Sequence, residues 1–105
     1  MLCVVTNMRN PVALAATCRE DGINPPRQQS VRLDARRMPG LVVYLPGMRF
    51  PVVVDVGTGL VFYHRVDNAF QPYAMLMRFI HRFYAMQARL MRTENRAVET
   101  QQRHL

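Results

Sequence analysis

The sequence predicts an α+β fold: a small antiparallel sheet of three to four strands over about residues 30–66, a short N-terminal helix, and one long C-terminal helix over about 70–99. Three observations lead there. Between Ser30 and Val66, apolar residues either alternate or run in short β-branched blocks separated by Pro-Gly and Gly-rich breaks. After Pro72, apolar residues recur at helical spacing for about five turns. The chain of 105 residues is 50% hydrophobic and 20% charged, the composition of one globular domain spanning 1–105.

The elements follow in order. Leu2 to Thr6 is a short β-branched run that suits a strand. Asn10 is placed to cap a helix that opens on Pro11, runs through Val12 to Cys18 and stops near Gly22. Residues 24–29 (Asn-Pro-Pro-Arg-Gln-Gln) read as an exposed linker, because two prolines break helix and ladder alike. From Ser30 to Arg36, Val31, Leu33 and Ala35 alternate with Arg32, Asp34 and Arg36, the pattern of one half-buried strand. Pro39-Gly40 reads as a turn, Leu41–Leu45 as a strand and Pro46-Gly47 as a second turn. Val52–Val56 and Leu60–Val66 form a hairpin through Gly57-Thr58-Gly59, with glycines supplying positive φ. Asp67 and Asn68 close the sheet, and Pro72 opens the long helix near its first turn. The tail 100–105 is polar and is expected to fray.

Two features exceed what one small core requires. The middle strands are apolar on both faces, so a second layer is expected, from the N-terminal segment or another subunit. On the long helix, Tyr73, Met75, Leu76, Met77, Phe79, Ile80, Phe83, Tyr84, Met86, Leu90 and Met91 spread over an arc of roughly 200°, against roughly 100° for a core-facing helix. The surplus implies one face on the chain's own sheet and one on another protein. Phe83, Leu76 and Ile80 fall at the centre of the arc and read as core. Met75, Phe79, Met86 and Leu90 fall toward its edge and read as partner-binding residues. A homodimer or a larger assembly follows from the same surplus.

Net charge is +7, and all 14 cations are arginine. Arg78, Arg82, Arg89, Arg92 and Arg96 share one stripe of the helix. Arg82 and Arg89 would rim the apolar interface and meet an acidic protein surface. The alternative is a small basic nucleic-acid-binding protein that uses this stripe on phosphate. Reading of DNA by the sheet is disfavoured, since its outward positions carry Val, Leu, Tyr and Phe.

No enzyme is expected. Asp55, His64, Asp67 and His81 are the titratable candidates, and no spacing unites them. No nucleophile elbow, zincin motif or phosphate loop occurs, and no metal, cofactor or small-molecule substrate is implied. Cys3 and Cys18 match neither zinc nor redox spacing, which points to reduced thiols in the cytoplasm. Cys3 is available for an intermolecular disulfide on oxidation. No signal sequence or membrane span is expected. The functional expectation is a non-enzymatic protein-binding regulator: a small bacterial antagonist, antiactivator-like, that masks an interface of a transcription regulator or other protein.

Overall fold

The structure, a computed structural model, describes the backbone of residues 1–103 and the side chains of residues 1–93. It is α+β. Five antiparallel strands, β1 (Leu2–Val5), β2 (Arg27–Leu33), β3 (Arg36–Val43), β4 (Val52–Asp55) and β5 (Leu60–Tyr63), lie in the order β1-β5-β4-β3-β2. Helix α1 (Pro11–Glu20) connects β1 to β2, and α2 (Phe70–Arg103) follows a short 3-10 helix at Arg65–Asn68.

Helix α1 begins as its sequence predicts. The Asn10 side-chain oxygen accepts from the Val12 and Ala13 amides at 3.0 and 3.2 Å, and Pro11 fills the first helical position. It ends on Gly22 at φ 71°, where the Gly22 and Ile23 amides return to the Arg19 and Cys18 carbonyls. Ile23 then packs against the core.

Helix α2 is long because nothing stops it. At 1.5 Å per residue its 34 residues span about 51 Å, close to the 57 Å long dimension of the molecule. Its backbone is helical through Arg103, where fraying from residue 100 was expected; residues 104 and 105 lie outside the described residues. The side chains of Glu94, Arg96, Ala97 and Val98 also lie outside them.

The wide apolar arc of α2 has an internal explanation. Leu76, Phe79, Ile80 and Phe83 are buried in one cluster with Met8, Ala13, Leu14 and Cys18 of the N-terminal segment and α1 and with Val43, Val52, Val54, Val61 and Tyr63 of the sheet. Met86, 8% exposed, lies outside that cluster, near Thr17 and Glu20 of α1. The helix therefore packs on both the sheet and α1, which bury the centre of its arc, while Tyr73, Tyr84 and Met91 remain exposed at its margins. Phe79 is 1% exposed, as deep as Phe83 at 0%. Its expected place at the arc's edge is corrected: α1 covers that edge.

The expected second layer on the sheet is present, but its main source is neither the N-terminal segment nor another subunit. Strands β2 and β3 pair along their whole length, from Arg27 opposite Val42 to Leu33 opposite Arg36. Arg27–Gln29, expected in a linker, are the first residues of this ladder. The strand expected over Ser30–Arg36 ends at Leu33, and the chain reverses at Asp34 (φ 57°) and Ala35. Pro39 and Gly40, expected as a turn, lie inside β3 opposite Ser30 and Gln29. A two-residue loop makes Leu33–Arg36 a hydrogen-bonded pair, so Ser30–Pro39 is a non-bonded pair. The proline nitrogen then points away from β2. Strand β4 pairs with β3 only over Leu41–Val43, so no ladder bond is lost there.

Beyond Gly40 this two-stranded arm bends back across the outer face of the sheet. Leu33, Val42 and Val53 form a second buried cluster, with Met1, Val31, Met38 and Phe62 packed around it. The tip reaches the far edge, where Asp34 pairs with the Met1 ammonium, with His64 at 3.2 Å and with Arg65 at 3.4 Å. The second layer is thus the chain's own arm, with Met1 beside it. Gly40 is required because a Cβ there would lie 2.7 Å from Val53 Cγ1 and 2.9 Å from the Val54 carbonyl oxygen.

The hairpin at 57–59 forms as expected, although only Gly59 has positive φ (81°). A side chain at Gly59 would collide with the Thr6 carbonyl, which packs against this tip. The loop between β3 and β4 is held by Asp67, 1% exposed, whose carboxylate accepts from the Arg49 and Phe50 amides at 2.9 and 3.0 Å.

Candidate protein-binding furrow

The expected partner-binding residues divide into three groups. Phe79 and Met86 (8% exposed) are core and are not available as surface anchors. Met75 and Leu90 are partly exposed at the margin of the core. Arg82 and Arg89 reach across to the end of α1, where Arg82 Nε donates to Asp21 at 2.9 Å and Arg89 Nη2 donates to Glu20 at 3.0 Å. These acids sit at the helix terminus where the backbone dipole disfavours negative charge, and the two guanidinium groups offset that cost. With both arginines about half exposed, each pair contributes about 0–1 kcal/mol. The stripe expected to face a partner is partly neutralised within the chain.

These pairs flank the first of four neighbouring depressions that share lining residues, together called the furrow. Its first depression lies over Thr17 and Ala85, between the two ion pairs. Asp21 and Arg82 lead into a second, of about 200 Å³, floored by Ile23, Leu45, Pro46 and Met75. Ile23, Leu45 and Pro46 also line a third, which opens toward Asn24 and Tyr44. Tyr44 and Asn24 pass into a fourth, of about 250 Å³, which ends at Arg27 and Gln29 on the edge strand β2. Four of the six expected residues touch this path or its rim: Met75, Arg82, Met86 and Arg89. Sequence reasoning missed Ile23, Tyr44, Leu45 and Pro46. Tyr44, an aromatic 58% exposed at the end of a buried strand, is the signal that could have marked the place.

Charge at the furrow is uneven. Arg78 lies beside Met75, with Nη1 4.0 Å from its sulfur. Among the described residues neither Arg78 nor Arg27 pairs with a carboxylate. The furrow therefore presents an apolar floor, one free guanidinium at the α2 rim and one at the β2 end.

The titratable candidates stand apart from it. His64 stacks on Phe50 with ring centroids 4.0 Å apart, and both its nitrogens are engaged: Nδ1 accepts from the Val66 amide at 3.0 Å, and Nε2 faces Asp34. The Asp34 carboxyl is held below the ordinary carboxylate range, first by the hydrogen bond from the Met1 ammonium, then by the His64 and Arg65 charges. Asp55 accepts from the Gly57 amide and shapes the hairpin tip. Asp67 is fully used by two amides, and His81 is exposed on α2. Cys18 is buried, and desolvation, with the nearby Asp21 charge, pushes its thiol up to about 11, so it stays protonated. Cys3 is exposed on β1, the opposite edge strand from β2. Among the described residues no cluster of three metal-ligating side chains occurs, and no helix is long and apolar enough to cross a membrane. No known protein family, no curated protein and no solved structure matches the chain.

Proposed function

We propose that this chain is a non-enzymatic regulator that binds another protein by holding an extended segment of it in the furrow between α1, α2 and the β2 edge. The observation that carries the reading is the adjacency of these depressions: an apolar floor of Ile23, Leu45, Pro46 and Met75 neighbours exposed Tyr44, which in turn neighbours the edge strand β2. An extended segment would place apolar side chains on that floor and carboxylates against Arg78 and Arg27. Tyr44 supplies an amphipathic anchor of the kind that dominates binding energy. A small antagonist of a transcription regulator, in a bacterial cytoplasm, is the biological setting that this mode of binding suits. The reading no longer uses Phe79 or Met86, and it does not need a homodimer. The two features that suggested one, the wide arc of α2 and the doubly apolar sheet, are in large part buried within one chain, with Tyr73, Tyr84 and Met91 of the arc left exposed.

The test begins with capture from host lysate and identification of the bound protein by mass spectrometry. The purified pair is then titrated by calorimetry. Tyr44→Ala and Met75→Asp should each weaken binding by tenfold or more, since one loses an anchor and the other puts a charge on the apolar floor. Arg78→Glu should slow association and reduce its salt dependence. A captured partner whose affinity is unchanged by all three variants would remove the furrow from the account.

A further inference from the structure

We infer that the β2–β3 arm is a second binding surface, independent of the furrow, and that its ligand is double-stranded nucleic acid held through the phosphate backbone. The argument starts from register. Arg32 stands directly opposite Arg37, and Ser30 opposite Pro39, so these side chains share one face of the ribbon. Val31, Leu33 and Met38 occupy the other face and pack down onto the sheet. The arginine face is therefore the outside of the arm, and all four of its residues are exposed.

Two arginines facing each other across a ladder repel, and a folded ribbon normally avoids that arrangement. Here each guanidinium is drawn aside by a backbone carbonyl. Arg37 Nη1 donates to Ser30 at 3.0 Å, and Arg32 Nε reaches toward Asp34 at 3.4 Å. Each keeps its remaining donors free. Arg36, opposite Leu33 at the tip, adds one more exposed cation on the same arm. The arm's only acid, Asp34, does not neutralise them, because its carboxylate turns inward to Met1, His64 and Arg65.

The chemistry of this face selects among polyanions. Apart from Pro39 it offers donors and charge, with no apolar centre. A protein interface would be expected to bury one, whereas phosphate binding needs none. The shape agrees: two strands about 4.8 Å apart with their side chains fit a major groove of roughly 12 Å. The outward Val, Leu, Tyr and Phe that argued against DNA reading belong to the body of the sheet; the arm's outer face meets the polar, basic requirement. Among the described residues α2 offers Arg78 and Arg92 as unpaired arginines, since Arg82 and Arg89 already hold Asp21 and Glu20.

The test uses the full chain and a short, labelled, mixed-sequence DNA duplex, with binding followed by fluorescence anisotropy between about 50 and 200 mM salt. Affinity should fall linearly on a log–log plot, with a slope of roughly 0.9 per phosphate neutralised. Arg32→Gln/Arg37→Gln should reduce that slope by about two, and each single variant by about one. Arg32→Lys/Arg37→Lys should keep it, and Arg78→Gln/Arg92→Gln on α2 should leave it unchanged. Because Arg32 and Arg37 are exposed, melting temperature should hardly move in any of these. Absence of salt-sensitive binding overturns the inference. So does loss of slope in the α2 pair with none in the arm pair. Polyglutamate that binds the arm more tightly than the duplex at equal charge concentration would assign the surface to acidic protein instead. Furrow variants such as Tyr44→Ala should not alter duplex binding, so the two readings fail separately.

Discussion

Replacing Gly40 by alanine tests whether the arm is a true second layer. The added Cβ would sit 2.7 Å from Val53 Cγ1 and 2.9 Å from the Val54 carbonyl oxygen. Neither neighbour can yield easily. Val53 is 0% exposed, and the Val54 carbonyl belongs to the central strand β4. If the arm stays in place, the overpacking costs about 1–3 kcal/mol. If it lifts, Leu33 leaves its buried site, which alone costs about 1.5–3 kcal/mol, and Val42 and Val53 lose their cover. Both routes allow a loss of up to about 3 kcal/mol, or up to roughly 12–20 °C in Tm for a domain of this size. Thermal unfolding by circular dichroism measures the loss. Native-state hydrogen exchange at Val42, Val53 and Phe62 shows whether the arm has lifted. Gly22→Ala is the control, since Gly22 has positive φ but nothing within 4 Å of the added carbon; it should cost about 1 kcal/mol. Gly40→Ala that melts no lower than Gly22→Ala, with the three amides still protected, would refute the close-approach argument.

Two further predictions follow from burial and charge. Phe79→Ala and Phe83→Ala should each destabilise by about 3–5 kcal/mol in chemical denaturation, because both rings lie in the same α1–α2–sheet cluster; a Phe79→Ala variant of near-native stability would return that ring to the surface. The Asp34 carboxyl has a folded pKa lowered from its ordinary value of about 3.9 by the Met1 ammonium, His64 and Arg65. Its contribution is therefore complete above that ordinary value and is lost as pH falls through the lower folded one. Asp34→Asn, which tolerates the positive φ, should be less stable than the parent at neutral pH, and the gap should close only on strong acidification. A gap that is constant with pH would show that the turn and not the charge matters.

What the sequence made legible is what short-range chemistry determines. Asn10, Pro11 and Gly22 delimit α1 through their own backbone and side-chain bonds. Gly57-Thr58-Gly59 and Pro46-Gly47 mark their turns in the same local way. The linker error at 24–29 arose because prolines 25 and 26 were allowed to speak for Arg27–Gln29, which pair with β3 despite their polarity. Polar residues suit an edge strand, so the composition of β2 was compatible with pairing all along. The Pro39-Gly40 error is subtler. Both residues do redirect the chain, but as a bend shared by two paired strands, and nothing local separates that from a reversal.

The functional residues were legible only where they depended on a single element. Apolar spacing located the buried face of α2 correctly, yet periodicity cannot say what covers a face. The cover came from α1, an element distant in sequence, and it moved Phe79 and Met86 from interface to core. The same contact changed the meaning of the arginine stripe. Glu20 and Asp21 stand at the end of α1, where carboxylates are unfavourable, and Arg82 and Arg89 lie across from them. Once those four charges cancel in pairs, Arg32, Arg36 and Arg37 stand together on the arm without a carboxylate partner among the described residues. Arg32 and Arg36 looked unremarkable in sequence because alternation with Val31, Leu33 and Ala35 explained them as the wet side of a strand. The fold changes that pairing of faces: the reversal at Asp34 and Ala35 sets Arg37 opposite Arg32 on the outer surface of a ribbon whose only acid is turned inward, and puts Arg36 opposite Leu33 on the other face.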